Sequence, residues 1–138
     1  MTMTQQIIIK KEAAKLDWVG KELMKILTKH GIDVLVSRDR HGVNASIMYA
    51  TTYVDTGKPV IVLLVEDILQ AGLTREEAQC MLWHEIAHVI DGATEFEADS
   101  FAVDHTSYEV WKSAINKTYA FINKEPDGAY VHRMSTVN

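Results

Sequence analysis

An α+β fold follows from three features of the chain. A broad apolar stripe at helical spacing comes first, between residues 10 and 30. Three short β-rich runs separated by turn residues follow it. Three Thr/Ser-x-x-Glu boxes then open helices in the second half. The order helix, three strands, helices predicts a three-stranded mixed sheet backed by helices.

Residues 1–9 form an arm or a short strand around Ile7-Ile8-Ile9. In the helix over 10–30, Ala13, Ala14, Leu16, Trp18, Val19, Leu23, Met24, Ile26 and Leu27 make the apolar stripe, and Gly31 stops it. Ile32 to Ser37 (IDVLVS) and Asn44 to Thr52 (NASIMYATT) read as strands. Pro59 to Val65 (PVIVLLV) is a continuous apolar run, as in a strand buried on both faces. Arg38–Gly42 and Asp55–Lys58 carry turn chemistry, and Glu66 to Ala71 gives one helical turn. Thr74-Arg-Glu-Glu77 is a capping box opening a helix to about Asp91. Thr94 with Glu97 opens the next. Thr106-Ser-Tyr-Glu109 opens a last helix to about Glu125, which buries Trp111, Ala114, Ile115, Tyr119 and Ile122. Pro126-Asp-Gly128 ends it, and 126–138 is a polar tail.

At 138 residues the chain makes one domain, long enough to bury a core without disulfide staples. Its 14 basic against 19 acidic residues, a net charge of −5, argue against nucleic acid as a partner, since phosphate contacts need a basic face. The single cysteine, Cys80, excludes an internal disulfide and fits a reducing compartment. The N-terminal apolar run is too short for a signal peptide, and no stretch approaches the ~20 apolar residues of a membrane span. A cytoplasmic protein is expected.

Chemistry concentrates in residues 84–99. His84-Glu85-Ile86-Ala87-His88 is an HExxH pattern. Residues four apart share a helix face, so His84 and His88 can both aim a ring nitrogen at one ion. Zinc accepts imidazole nitrogen, and a catalytic site supplies three protein ligands plus a water. Glu85, beside the first histidine, can reach that water as general base. Gly92 is placed as a helix stop. A sharp turn there would fold the Thr94 helix back beside the first. Glu95 in its first turn would then face the histidines as third ligand. Asp99, four residues on, could accept a hydrogen bond from a histidine's other ring nitrogen. One zinc ion per chain is expected.

HExxH followed by Glu95-Phe-Glu97-Ala98-Asp99 resembles the gluzincin type of zincin metallopeptidase. Glu97-Ala-Asp-Ser-Phe-Ala102 is similar to a run in the ImmA/IrrE-type peptidases. The resemblance implies Glu95 as third ligand and Asp99 as its support. Six residues separate His88 from Glu95, with a glycine among them, a spacing nearer the metzincin HExxHxxGxxH, so Glu97 and Asp99 stand as alternative ligands. The resemblance further implies a minimal zincin-like fold: backing helix, sheet, HExxH helix and two C-terminal helices. An edge strand would line the cleft and pair with an extended protein or peptide substrate. It also implies an endopeptidase with a Tyr or His at the oxyanion, for which Tyr108, Tyr119, Tyr130, His105 and His132 are candidates.

Each feature has a plainer reading. Glu95, Glu97 and Asp99 could serve only the helix dipole. Cys80, one turn before His84, is more simply a small buried hydrophobe than a fourth ligand. Trp18, Trp83 and Trp111 sit at core positions. The rival to a peptidase is a catalytically inactive zinc protein that binds a partner. A purely structural metal site is the third possibility.

Overall fold

The computed structural model describes residues 19–37 and 47–121. The elements are α1 (Gly20–Lys29), β1 (Asp33–Ser37), β2 (Met48–Thr52), β3 (Pro59–Leu64), α2 (Val65–Ala71), α3 (Arg75–Asp91), α4 (Glu95–His105) and α5 (Tyr108–Phe121). The expected α+β architecture is present, with the three strands in one mixed sheet of order β1-β3-β2. The arm at 1–9, most of the first half of the 10–30 helix with Trp18, the turn at 38–42 and the tail at 126–138 lie outside the described residues. So do His41, Tyr130 and His132.

β3 is the central strand. It pairs in parallel with β1 (Val34↔Ile61) and antiparallel with β2 (Ala50↔Ile61). Side chains alternate across a strand, so the continuous apolar run serves two clusters. Ile61 and Leu63 join the main core with Val34, Ile47, Met48, Leu23 and Leu27. Val60, Val62 and Leu64 join Leu35, Tyr49 and Tyr53 on the other face. That sharing is why PVIVLL lacks the alternation of a half-solvated strand.

Three expectations are corrected. The stretch 10–30 is not one unbroken helix. Helical backbone needs φ near −63°, whereas Gly20 has φ 73°, so α1 begins there. The single helical turn expected at Glu66–Ala71 is helical but longer, a seven-residue helix, α2, closed by Gly72 in the left-handed conformation. The last helix is capped by Ser107 instead of Thr106: Ser107 Oγ accepts from Val110 N at 3.1 Å. The Thr106 hydroxyl instead donates to Ala102 O at 2.7 Å, closing α4.

α3 is buried on nearly every side from Glu77 to Ala87. It packs against α4, α5 and β2, which accounts for its weak amphipathic pattern. Its first turn is pinned by Glu77, which completes the capping box with Thr74. Glu77 Oε1 also accepts from Lys117 Nζ of α5 at 2.7 Å, and Lys117 donates to Gly72 O at 3.2 Å. Burial pushes the Glu77 pKa up, but hydrogen bonds from Lys117, Ser113 and Thr74 outweigh it and leave it lowered. A carboxyl with a depressed pKa stabilises the fold above the ordinary Glu value and loses that contribution as pH falls through the lowered one. Lys117→Met should therefore cost about 1–2 kcal/mol at neutral pH, toward the low side because the lysine is 36% exposed. Thermal melts should show a drop of several degrees near pH 7, shrinking below about pH 4 as the carboxylate protonates. An equal drop at pH 7 and pH 3 would remove the ion pair from this account.

No described helix is long and apolar enough to cross a membrane.

Candidate metal centre

Two capped helices and one glycine build the site. α3 carries His84, Glu85 and His88, and α4 carries Glu95 and Asp99. Both helices open with a complete Thr/Glu capping box, at Thr74/Glu77 and Thr94/Glu97. Between them Gly92 adopts φ 59°, ψ 31°, a left-handed conformation that glycine reaches without steric cost. The turn lays α4 back along α3 and brings the Ala93 carbonyl oxygen to 2.7 Å from His88 Nδ1.

Three side-chain atoms converge at the top of this helix pair. His84 Nε2 and His88 Nε2 are 3.1 Å apart. Glu95 Oε1 lies 3.1 Å from the first and 2.7 Å from the second. The ring protons can be assigned from the opposite ends of the imidazoles. A carbonyl oxygen only accepts, so His88 Nδ1 carries a hydrogen, and in a neutral imidazole that tautomer has its lone pair on Nε2. His84 Nδ1 faces Asp99 Oδ1 at 2.9 Å, which likewise draws the hydrogen to Nδ1. Two lone pairs and a carboxylate oxygen thus point into one small space. Such a trio is repulsive unless a cation or protons lie among it. Ligand bonds of 2.0–2.2 Å in a tetrahedron put ligand atoms about 3.3 Å apart, close to the spacings found here. The donor set, N, N and O, suits zinc.

Of the three candidate carboxylates on α4, Glu95 brings an oxygen to both Nε2 atoms. Glu97 is exposed and spent on the cap, where Thr94 N donates to its Oε1 at 2.9 Å. Hydrogen bonds from Thr94 lower its pKa. Asp99 sits behind the His84 ring, on the wrong nitrogen to share the same ion. Its Oδ1 also accepts from Trp111 Nε1 of α5 at 3.1 Å. It stands off the line of the His84 N–H, which has no aligned acceptor, so the contact is one of charge and proximity.

Burial disfavours a charged His84, but the Asp99 and Glu95 carboxylates against its two nitrogens, with Glu85 nearby, outweigh it and raise its pKa to about 9. In a metal-free site, protons supply the positive charge, and a metal must displace them. Glu85 has a raised pKa, because burial outweighs the lowering effect of His84 and His88. Its Oε2 is 3.9 Å from His84 Nε2, and one potential donor atom from each of His84, Glu85 and His88 lies within 4.8 Å of the others.

The other Glu85 oxygen meets the sheet. Ala50 N donates to Glu85 Oε1 at 3.1 Å. Leu64 N bonds to Ile47 O and Tyr53 N to Lys58 O, so odd-numbered positions of the strand face β3. The backbone groups of Met48, Ala50 and Thr52 therefore point away from it, along the edge. Among the described residues β2 is thus an edge strand, and its outer side runs past Glu85. Side-chain exposure rises from 0% at Asp99 and 6% at His84 through 11% at Glu85 and 24% at His88 to 53% at Glu95. The site is closed behind His84 and open beside Glu95.

The remaining candidates have other roles. His105 stacks on Trp83, centroids 4.0 Å apart. It ends the helix that Glu95 begins, about 15 Å along the axis. Tyr108 turns its ring to Trp111 and Lys112, and Tyr119 is buried in the main core. Cys80 is fully buried, and burial pushes its thiol up to about 11. His30 is an exposed helix cap. Sequence reading missed Ala50, Ala93 and Trp111. Two of them act through backbone atoms, which side-chain identity does not reveal.

Comparison of the chain with family models, with curated proteins and with solved structures gives no match.

Proposed function

We propose that the chain is a small zinc-dependent metallopeptidase of the zincin type, similar to the ImmA/IrrE peptidases, that hydrolyses peptide bonds in an extended protein or peptide substrate. One observation carries the reading: His84 Nε2, His88 Nε2 and Glu95 Oε1 converge within about 3 Å of one another, while Asp99 Oδ1 and Ala93 O face the opposite ring nitrogens. These three groups would hold the metal.

Bound there, Zn²⁺ would polarise a carbonyl and bring the pKa of its water to about 7. The chain's own groups do the rest. Glu85 Oε1 is held by the Ala50 amide, which leaves Oε2 to take the water's proton and pass it to the leaving amine. Its burial-raised pKa suits a group that must hold a proton briefly. The Asp99 charge behind the ring, 2.9 Å from Nδ1, favours the His84 tautomer with its hydrogen there. The outer edge of β2 offers the Ala50 carbonyl and the Thr52 backbone groups to a substrate strand. Such pairing lays the peptide past Glu85 on the open, Glu95 side. The single cysteine supports a cytoplasmic setting.

The rival, a zinc-binding module without catalysis, is favoured by the same Ala50–Glu85 bond, since a carboxylate already engaged with backbone is less free for water. The test is digestion of a broad peptide mixture with zinc-loaded protein, read as new N-termini by mass spectrometry. Cleavage that a chelator abolishes is expected. Bound zinc with no cleavage in any mixture would leave the module reading in its place.

A further inference from the structure

We infer that Trp111 is a positioning residue for the metal centre, acting through Asp99 on His84; this rests on the zinc reading above. α5 contributes none of the three converging atoms, yet it reaches the site through one bond. The indole Nε1 donates to Asp99 Oδ1 at 3.1 Å. That same oxygen lies 2.9 Å from His84 Nδ1. Asp99 is fully buried and Trp111 is 1% exposed, so bulk water cannot replace either partner. A tryptophan has two side-chain torsions, and both are fixed here by core packing. The direction of its N–H is therefore set by the core, and it fixes where Oδ1 stands.

Without that donor, the buried Asp99 carboxylate turns to another partner. That moves Oδ1 from its place 2.9 Å from His84 Nδ1 and weakens the charge contact that favours the Nδ1–H tautomer, and with it the basicity of Nε2. The Trp111 bond is one remove further from the metal than an ordinary outer partner. Loss of such partners weakens metal binding about 10–100-fold, and the lower end is expected here.

The experiment is a double-mutant cycle read as Zn²⁺ affinity, by competition with a chromophoric chelator, well below the melting temperature of every variant. Trp111→Phe keeps most of the ring packing and removes the N–H. It should weaken zinc binding about tenfold, and Asp99→Ala should weaken it about 10–100-fold. The pair together should match Asp99→Ala alone, because Trp111 then has nothing to act through. An affinity of Trp111→Phe equal to or tighter than wild type overturns the inference, as do additive effects, which would mean packing alone. If Trp111→Phe does not fold, the wild type decides. Its Trp111 indole N–H resonance, assigned by elimination with Trp18→Phe and Trp83→Phe, should move on zinc addition. A fixed resonance at saturating zinc overturns the inference. A wild type that binds no zinc overturns the metal reading itself, a different and visible failure.

Discussion

An Glu95→Ala chain is expected to keep its fold and lose its zinc. Elemental analysis should find about one zinc per wild-type chain after desalting and close to none in the variant. The affinity should fall by at least about 100-fold, the upper end of what loss of an outer partner costs. Glu95 Oε1 contacts both Nε2 atoms, at 3.1 and 2.7 Å, whereas the nearest Glu85 oxygen stands back at 3.9 Å from His84 Nε2. Glu97 is engaged by the Thr94 cap and Asp99 lies behind His84. The fold should survive because the Glu95 side chain is 53% exposed and the core owes it little. Its place as first residue of α4 adds a helix-dipole contribution of about 0.3–1 kcal/mol, which sets the size of the change in melting temperature. Equal zinc in wild type and variant would move the third ligand elsewhere.

Glu85→Gln separates holding the metal from using it. The amide is nearly the same shape, and its oxygen can still accept from the Ala50 amide, which now lies 3.1 Å from the carboxylate. The variant should bind zinc as the wild type does and melt within a degree or two of it. Hydrolysis should fall by about 10²–10⁴-fold, the range associated with removing a general acid–base. Both readouts come from one preparation, the zinc content first and then the cleavage of whichever peptide the wild type cuts. Undiminished cleavage by a folded, zinc-loaded Glu85→Gln chain would sink the general-base role.

Elements whose signals are local were legible in the sequence. Thr74/Glu77 and Thr94/Glu97 form the boxes that their spacing announces, and Gly92 makes the left-handed turn. The apolar run of β3 is central and buried on both faces. Errors arose where two local readings compete. Thr106 and Ser107 are adjacent hydroxyls, each able to cap. Ser107 takes the cap because Thr106 back-bonds to Ala102 O. Gly20 lies inside an apolar stripe, and periodicity alone does not register its positive φ. What the sequence could not supply was the tertiary part of the site. Which strand is the edge, and that its Ala50 amide meets Glu85, depends on β3 inserting between β1 and β2. Trp111 read as core, which it is, but its N–H was not assigned a partner.

The atoms proposed to face the metal come from a stretch so short that a single helical hairpin assembles them: His84 and Glu95 are 11 residues apart. The contact that aims Glu85 spans 35 residues and needs the sheet in place. Local contacts form earlier than distant ones. On this architecture a nascent or damaged chain could capture zinc before it could use it. Metal content would then report an intact hairpin, and only catalysis would report an intact molecule. For the hydrolase proposed above, that ordering would be a safeguard, since a metal-loaded hairpin would stay harmless until β2 had docked.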